Sequence, residues 1–260
     1  MFSIAGTFRQ NKTGIFQILT IMAITIAAIL IFYHAMFRYG FQGPTVLAAT
    51  ICFCVLWCCA VAPAVCTLGK TWIKKLFRAG TVSDSTGIAL LIIWIIFPEG
   101  QLYTEFDIWA VLKVYCLCTA ITMMSSSFAC IARTVCGVVI AAAVSWVLFL
   151  SAIASPFWIS KSLENSAQNE SLVNLAATVN PVWGALDAVV PQTAMPWHRG
   201  GGMLYNFTTV GEYATPTKFG WWQTSLLFGI VATICWTIAY LRRKFSRNKT
   251  VILKADFSEE

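Results

Sequence analysis

Six apolar stretches alternate with polar connections along the chain, and five of them reach the length needed to cross a bilayer. A spanning helix takes about 20 mostly apolar residues, because a rise of about 1.5 Å per residue must cover a hydrocarbon core of about 30 Å. The pattern predicts spans over 14–37, 44–66, 108–132, 134–155 and 221–241. The remaining run, 87–98, is too short on its own and reaches spanning length only by extending back through Ser83, Asp84, Ser85 and Thr86, which gives a further span at 80–98. The first span is too long for a cleavable signal core and lacks a clear small-residue cut site, so it is expected to stay. The expected fold is all-α: a polytopic integral membrane protein, one transmembrane domain over 1–260 with six transmembrane helices.

Composition agrees with this reading. The chain is 58% hydrophobic and 11% charged, with a mean hydropathy of +0.72, whereas soluble domains average roughly 45–50% apolar and about 25% charged. Charge then orients the spans. With the N-terminus inside, 13 of the 18 Lys and Arg residues fall on inner connections and 5 at or near the outer side, as the positive-inside rule requires. Both termini are therefore expected in the cytoplasm. The net charge of +7 clusters where membrane insertion demands it, so no nucleic-acid partner is expected.

The connections carry their own patterns. Residues 1–10 are mildly amphipathic and could lie on the inner surface before the chain enters the bilayer. Between the second and third spans, Trp72, Ile73, Leu76 and Phe77 alternate at helical spacing with Lys70, Thr71, Lys74, Lys75 and Arg78. That pattern predicts a basic amphipathic helix at the membrane surface, serving either as an anchor on anionic lipid or as a docking helix for a cytoplasmic partner. The outer segment 156–220 holds two short apolar pieces, 171–179 and 181–190, parted at Asn180 and Pro181. They are expected to form short outer re-entrant helices between spans five and six, within a cap rich in Trp and Tyr. The tail 242–260 begins as a basic stop-transfer patch, and its acidic end is expected to be mobile.

Chemistry-bearing residues are sparse. All ten cysteines lie within the predicted spans and none has C-x-x-C spacing, which favours packing over redox or metal work. Residues 64–71 read A-V-C-T-L-G-K-T, a relaxed phosphate-loop match that begins inside an apolar span. A functional loop follows a β-strand, so the match is coincidental. Asp84 is the intramembrane charge candidate, with Lys75, Arg78 or Arg133 available to neutralise it. His34 and His198 share no ligand spacing, and the M-M-S-S-S run at 123–127 suits hydroxyls bonding within a helix. No catalytic residues, metal site or cofactor is expected, and the chain reads as a non-enzyme.

Six spans with both ends inside, a basic amphipathic helix between the second and third, and two short outer helices between the fifth and sixth together resemble a type-2 permease of the ATP-binding-cassette transporters. Over 125–150 the chain reads S-S-S-F-A-C-I-A-R-T followed by a small-residue-rich span, which is similar to that family. The resemblance implies a permease subunit in a bacterial plasma (inner) membrane, energised by a separate ATPase subunit and paired with a second permease half as a homo- or heterodimer. It assigns Lys70, Trp72, Lys74, Lys75, Phe77 and Arg78 to the ATPase-docking surface and the N-terminal segment to an elbow helix. The alternative is a non-catalytic membrane scaffold or assembly factor. An intramembrane enzyme using Asp84 or His34 is the weakest reading.

Overall fold

The computed structural model describes residues 4–40, 43–67, 69, 71–96, 107–133, 135–155, 170–189 and 220–256. Among them every regular element is an α-helix: α1 (Ile4–Arg38), α2 (Gly43–Thr67), α3 (Trp72–Ile96), α4 (Ile108–Ala132), α5 (Val138–Ile153), α6 (Glu170–Val179), α7 (Pro181–Asp187) and α8 (Trp221–Asp256). Among the described residues five stretches are long and apolar enough to cross a membrane: Gly14–Arg38, Thr45–Thr67, Trp72–Ile96, Ile108–Ala132 and Trp221–Arg242. This is the architecture of an integral membrane protein. Helix α5, expected over 134–155, has 16 residues and rises about 24 Å, short of the roughly 30 Å hydrocarbon layer.

Two expected boundaries are absent. The segment 70–78 is not a separate surface helix, because Trp72 onward runs unbroken into the third apolar stretch. The polar residues that looked like a break satisfy themselves inside the helix. The hydroxyls of Thr81, Ser83, Ser85 and Thr86 donate to the carbonyls of Phe77, Gly80, Thr81 and Val82, so the stretch needs no water. Likewise the N-terminal segment from Ile4 continues directly into α1, and the tail stays helical to Asp256, no Gly or Pro interrupting 242–256. Residues 257–260 and most of the expected outer cap lie outside the described residues.

Helices α2, α3 and α4 form the centre. Ile51, Cys54, Val55, Cys58 and Ala62 from α2 pack with Val82, Ala89 and Leu90 from α3 and with Val114, Leu117, Cys118 and Ile121 from α4, all fully buried. Small side chains let these backbones approach closely, as membrane helices do in place of hydrophobic sorting. Around this centre, indole N–H groups tie the bundle together. Trp57 donates to Thr25 Oγ1 of α1 at 3.2 Å, and Trp236 of α8 donates to the Met123 carbonyl of α4 at 3.1 Å. Trp146 of α5 donates to the Ala60 carbonyl at 3.2 Å, beside Pro63, which interrupts the ladder of α2. In the 123–127 run, Ser125 and Ser127 bond to carbonyls one turn back, and Ser145 of α5 reaches the Ser125 carbonyl at 3.0 Å.

The two short apolar helices form where Asn180 and Pro181 part them. Asn180 is 1% exposed. Its Oδ1 accepts from the Val182 and Trp183 amides at 3.0 and 3.3 Å, capping α7, while its Nδ2 donates to the Ile153 carbonyl and to Ser155 Oγ at 3.0 and 3.4 Å. One amide thus joins α7 to the end of α5. Beyond α7, Asp187 Oδ2 accepts from the Trp221 amide at 2.8 Å, so a carboxylate sits at the positive end of α8.

Asn180→Ala is expected to destabilise the bundle by about 2–4 kcal/mol, since it strips a cap and leaves buried groups unsatisfied. Asn180→Asp, which keeps the acceptor and loses the donors, should fall between wild type and Ala in thermal melting in detergent.

Candidate functional site

The α2–α3 connection organises one end of the bundle, here the basic end. At Gly69 a Cβ would stand 2.6 Å from Lys75 Cγ and 2.9 Å from Lys75 N, so only glycine allows α3 to start this close to the end of α2. The Gly69 amide donates to the Cys66 carbonyl at 3.1 Å, and Thr71 Oγ1 accepts from the Lys74 amide at 3.3 Å. The phosphate-loop look-alike falls here, with its first four residues completing α2.

The residues expected to form a docking surface part into two sets. Trp72 turns onto α8, edge-on to Trp236 with ring centroids 4.4 Å apart and tilted against Tyr240 at 5.8 Å. Lys75 Nζ donates to Cys130 Sγ at 3.7 Å. Arg78 donates to Gln17 Oε1 of α1. Lys74 and Phe77 are exposed, and Ile73 joins them on that outward side. Lys70 lies outside the described residues.

Between α3, α4 and α8 a groove of about 700 Å³ opens on the flank of the bundle. Its floor is Cys116, Thr119, Ala120 and Met123 of α4; Gly229, Thr233 and Thr237 line the α8 wall, and Trp72 and Leu76 the α3 wall. The Trp72–Trp236 contact reaches from the α3 wall to the α8 wall, and Tyr240 lines the groove one turn further along α8. Along α8, Gly229, Thr233 and Thr237 recur every four residues, giving that wall a small, hydroxyl-bearing surface. Nothing lies within 4 Å of a Cβ built on Gly229, consistent with an open groove.

Asp84 lies beyond the residues that line this groove, further along α3 than Leu76. Leu76, Gly80 and Asp84 succeed one another every four residues on α3, which puts Asp84 about 12 Å along the helix from Leu76. Its Oδ1 accepts from the Tyr115 hydroxyl of α4 at 2.7 Å, and Tyr115 is in turn joined to the groove residue Thr119, whose hydroxyl bonds to its carbonyl at 2.9 Å. Lys75, Arg78 and Arg133, the cations available to neutralise it, are each engaged elsewhere. Lys75 and Arg78 sit two turns or so nearer the basic end and are engaged as above, and Arg133 donates to the Thr67 carbonyl. Asp84 is exposed and is the one acid in the five long apolar stretches. A carboxylate at mid-span costs about 3 kcal/mol on insertion scales, and one phenol hydroxyl answers only part of that.

Tyr115 and the groove were missed by sequence reasoning. The four-residue spacing of small residues on α8 was the available signal. Of the two histidines, His34 is exposed on α1 and His198 lies outside the described residues. Among the described residues no three His, Cys, Asp or Glu side chains gather as a metal would require.

Substitution at two glycines should separate the packed side of the α3–α4 seam from the open groove. A Cβ on Gly87 would meet Tyr115 Cδ2 at 2.7 Å, so Gly87→Ala should lower the thermal midpoint and disturb the Tyr115–Asp84 bond. Gly229→Ala should raise it, the helix gaining up to about 1 kcal/mol from propensity alone. Comparison with known protein families, with curated proteins and with solved structures yields no match to this chain.

Proposed function

We propose that this chain is one membrane-spanning half of an ATP-driven transporter, energised by a separate ATPase subunit. The observations that carry the reading are the flank groove and, about two turns along α3 from its lining residue Leu76, the exposed mid-span carboxylate of Asp84. A carboxylate and a row of hydroxyls on the side of a membrane bundle are costly against lipid and sensible against a partner or along a polar path. A second permease half, identical or homologous, covers this flank, and the path for substrate runs between the halves.

The basic end supplies the other requirement. Ile73, Lys74 and Phe77 project from the first turns of α3 as an apolar and basic patch suited to an ATPase surface. Because α3 is continuous from Trp72 to Ile96, a push on that patch moves the Asp84 segment without an intervening hinge. In this reading α5 completes a sixth crossing, α6 and α7 form a re-entrant pair in the outer leaflet, and both termini lie in the cytoplasm of a bacterial cell.

Purification in mild detergent is expected to recover an ATPase subunit. The double variant Lys74→Glu/Phe77→Ala should reduce its recovery at least tenfold while leaving the thermal midpoint of the membrane subunit within a degree or two. Asp84→Asn should leave ATPase recovery intact and abolish substrate-stimulated ATP hydrolysis. Recovery of a different membrane protein with no ATPase would replace this reading by that of a scaffold or assembly factor.

A further inference from the structure

Two thiols from different helices meet at the basic end. Cys66, at the end of α2, and Cys130, at the end of α4, are 64 residues apart in sequence, and their Sγ atoms are 3.4 Å apart. Both are free and buried. A second pair of thiols, Cys58 and Cys118, meets in the bundle centre, where Cys58 also faces the Thr86 hydroxyl at 3.6 Å. The Cys66–Cys130 pair differs in having a cation beside it, Lys75 Nζ at 3.7 Å from Cys130 Sγ.

We propose that Cys66 and Cys130 are a reversible thiol–disulfide site that latches α2 to α4, with Cys130 the sulfur that is oxidised first. A disulfide needs a sulfur separation of about 2.05 Å, so the gap to close is less than the radius of an atom. In the first step Cys130 attacks a hydroperoxide; the O–O bond breaks, the sulfur becomes a sulfenic acid, and the other oxygen leaves as water or an alcohol after taking a proton. In the second step the Cys66 thiol attacks the Cys130 sulfur, an S–S bond forms, and water leaves with the sulfenic oxygen and the thiol proton. Two electrons pass from the two sulfurs to the peroxide. The ammonium of Lys75 balances the negative sulfur that attacks in the first step. The proposal does not depend on the transporter reading, since the bond forms or fails to form whatever the bundle carries.

The latch joins helices that the Gly69 turn and the Arg133 contact to the Thr67 carbonyl already hold together. Oxidation would therefore lock the end of the bundle from which the exposed patch of α3 projects.

The full-length protein in detergent, treated with hydrogen peroxide and digested without reductant, is expected to give a linked peptide pair joining Cys66 to Cys130 as the dominant disulfide by mass spectrometry. Dithiothreitol should reverse it, and the oxidised protein should melt several degrees higher. Cys66→Ser should abolish the link and leave a trappable sulfenic acid at Cys130. Lys75→Met should slow its formation several-fold. Absence of the linked pair in the wild-type protein, or its appearance at no greater yield than pairs among Cys54, Cys58, Cys59 and Cys118, would overturn the proposal. An unchanged rate in Lys75→Met would overturn the part given to Lys75.

Discussion

Backbone and side-chain polar groups that sit in lipid have no water to turn to, and the rest of this bundle depends on how α3 meets that constraint. Its middle carries Thr81, Ser83, Asp84, Ser85 and Thr86 within six positions, a density that in water would favour a turn or a cap over a helix interior. Here each hydroxyl folds back onto a carbonyl three or four residues earlier. That leaves Asp84 as the single member that must look outside its own helix, and it finds Tyr115. Were α3 to break at this point, the basic turns and the apolar span would be separate bodies, and the α3 wall of the groove would lose its alignment with α4.

Between helices the adhesive is of a different kind. Lipid chains are as apolar as the residues that face them, so burial alone gives little reason for helices to associate, and shape and interhelical hydrogen bonds carry more of the work, each bond contributing on the order of 0.6–2 kcal/mol. The three indole N–H groups of Trp57, Trp146 and Trp236 each reach across to a different neighbour. Two of the three end on backbone carbonyls. Such acceptors already serve their own helices, and they can take a second donor because a carbonyl has two lone pairs. Pro63 interrupts the ladder of α2 in the same stretch, leaving the carbonyl four residues before it without its usual donor. The result is a centre made of small residues with aromatic anchors set around it.

Much of this was legible along the chain, and what was not has a common cause. Long apolar runs declare themselves because a membrane span needs no periodicity, only length, and the Asn180–Pro181 break announced two short helices by ordinary capping chemistry. The failures occurred where a residue's partner lies on another helix. Trp72 read as one side of a surface helix because helical spacing puts it beside Ile73 and Leu76; that its ring packs on Trp236 cannot be seen from local pattern. Lys75 and Arg78 looked available to Asp84 on charge alone, yet the rise of the helix carries them away from it, toward Cys130 and Gln17. The α8 row of Gly229, Thr233 and Thr237 was readable as a small-residue face, and only packing against α4 turned that face into the wall of a groove.

The two ends of the α3 wall respond to different forces. At the basic end the Trp72–Trp236 contact holds α3 to α8; ten residues on from Lys74, or about 15 Å, the Asp84–Tyr115 bond holds α3 to α4. A rigid helix fixed at two such points cannot shift its exposed first turns outward without releasing the aromatic contact or pivoting about the hydrogen bond. The first motion parts the α3 wall of the groove from the α8 wall, while the second tilts Asp84 relative to α4. In a transporter driven from the basic end, these are the two movements by which a site could be exposed on one side and closed on the other. Both follow from the same uninterrupted helix, whose four mid-span hydroxyls are satisfied by their own backbone.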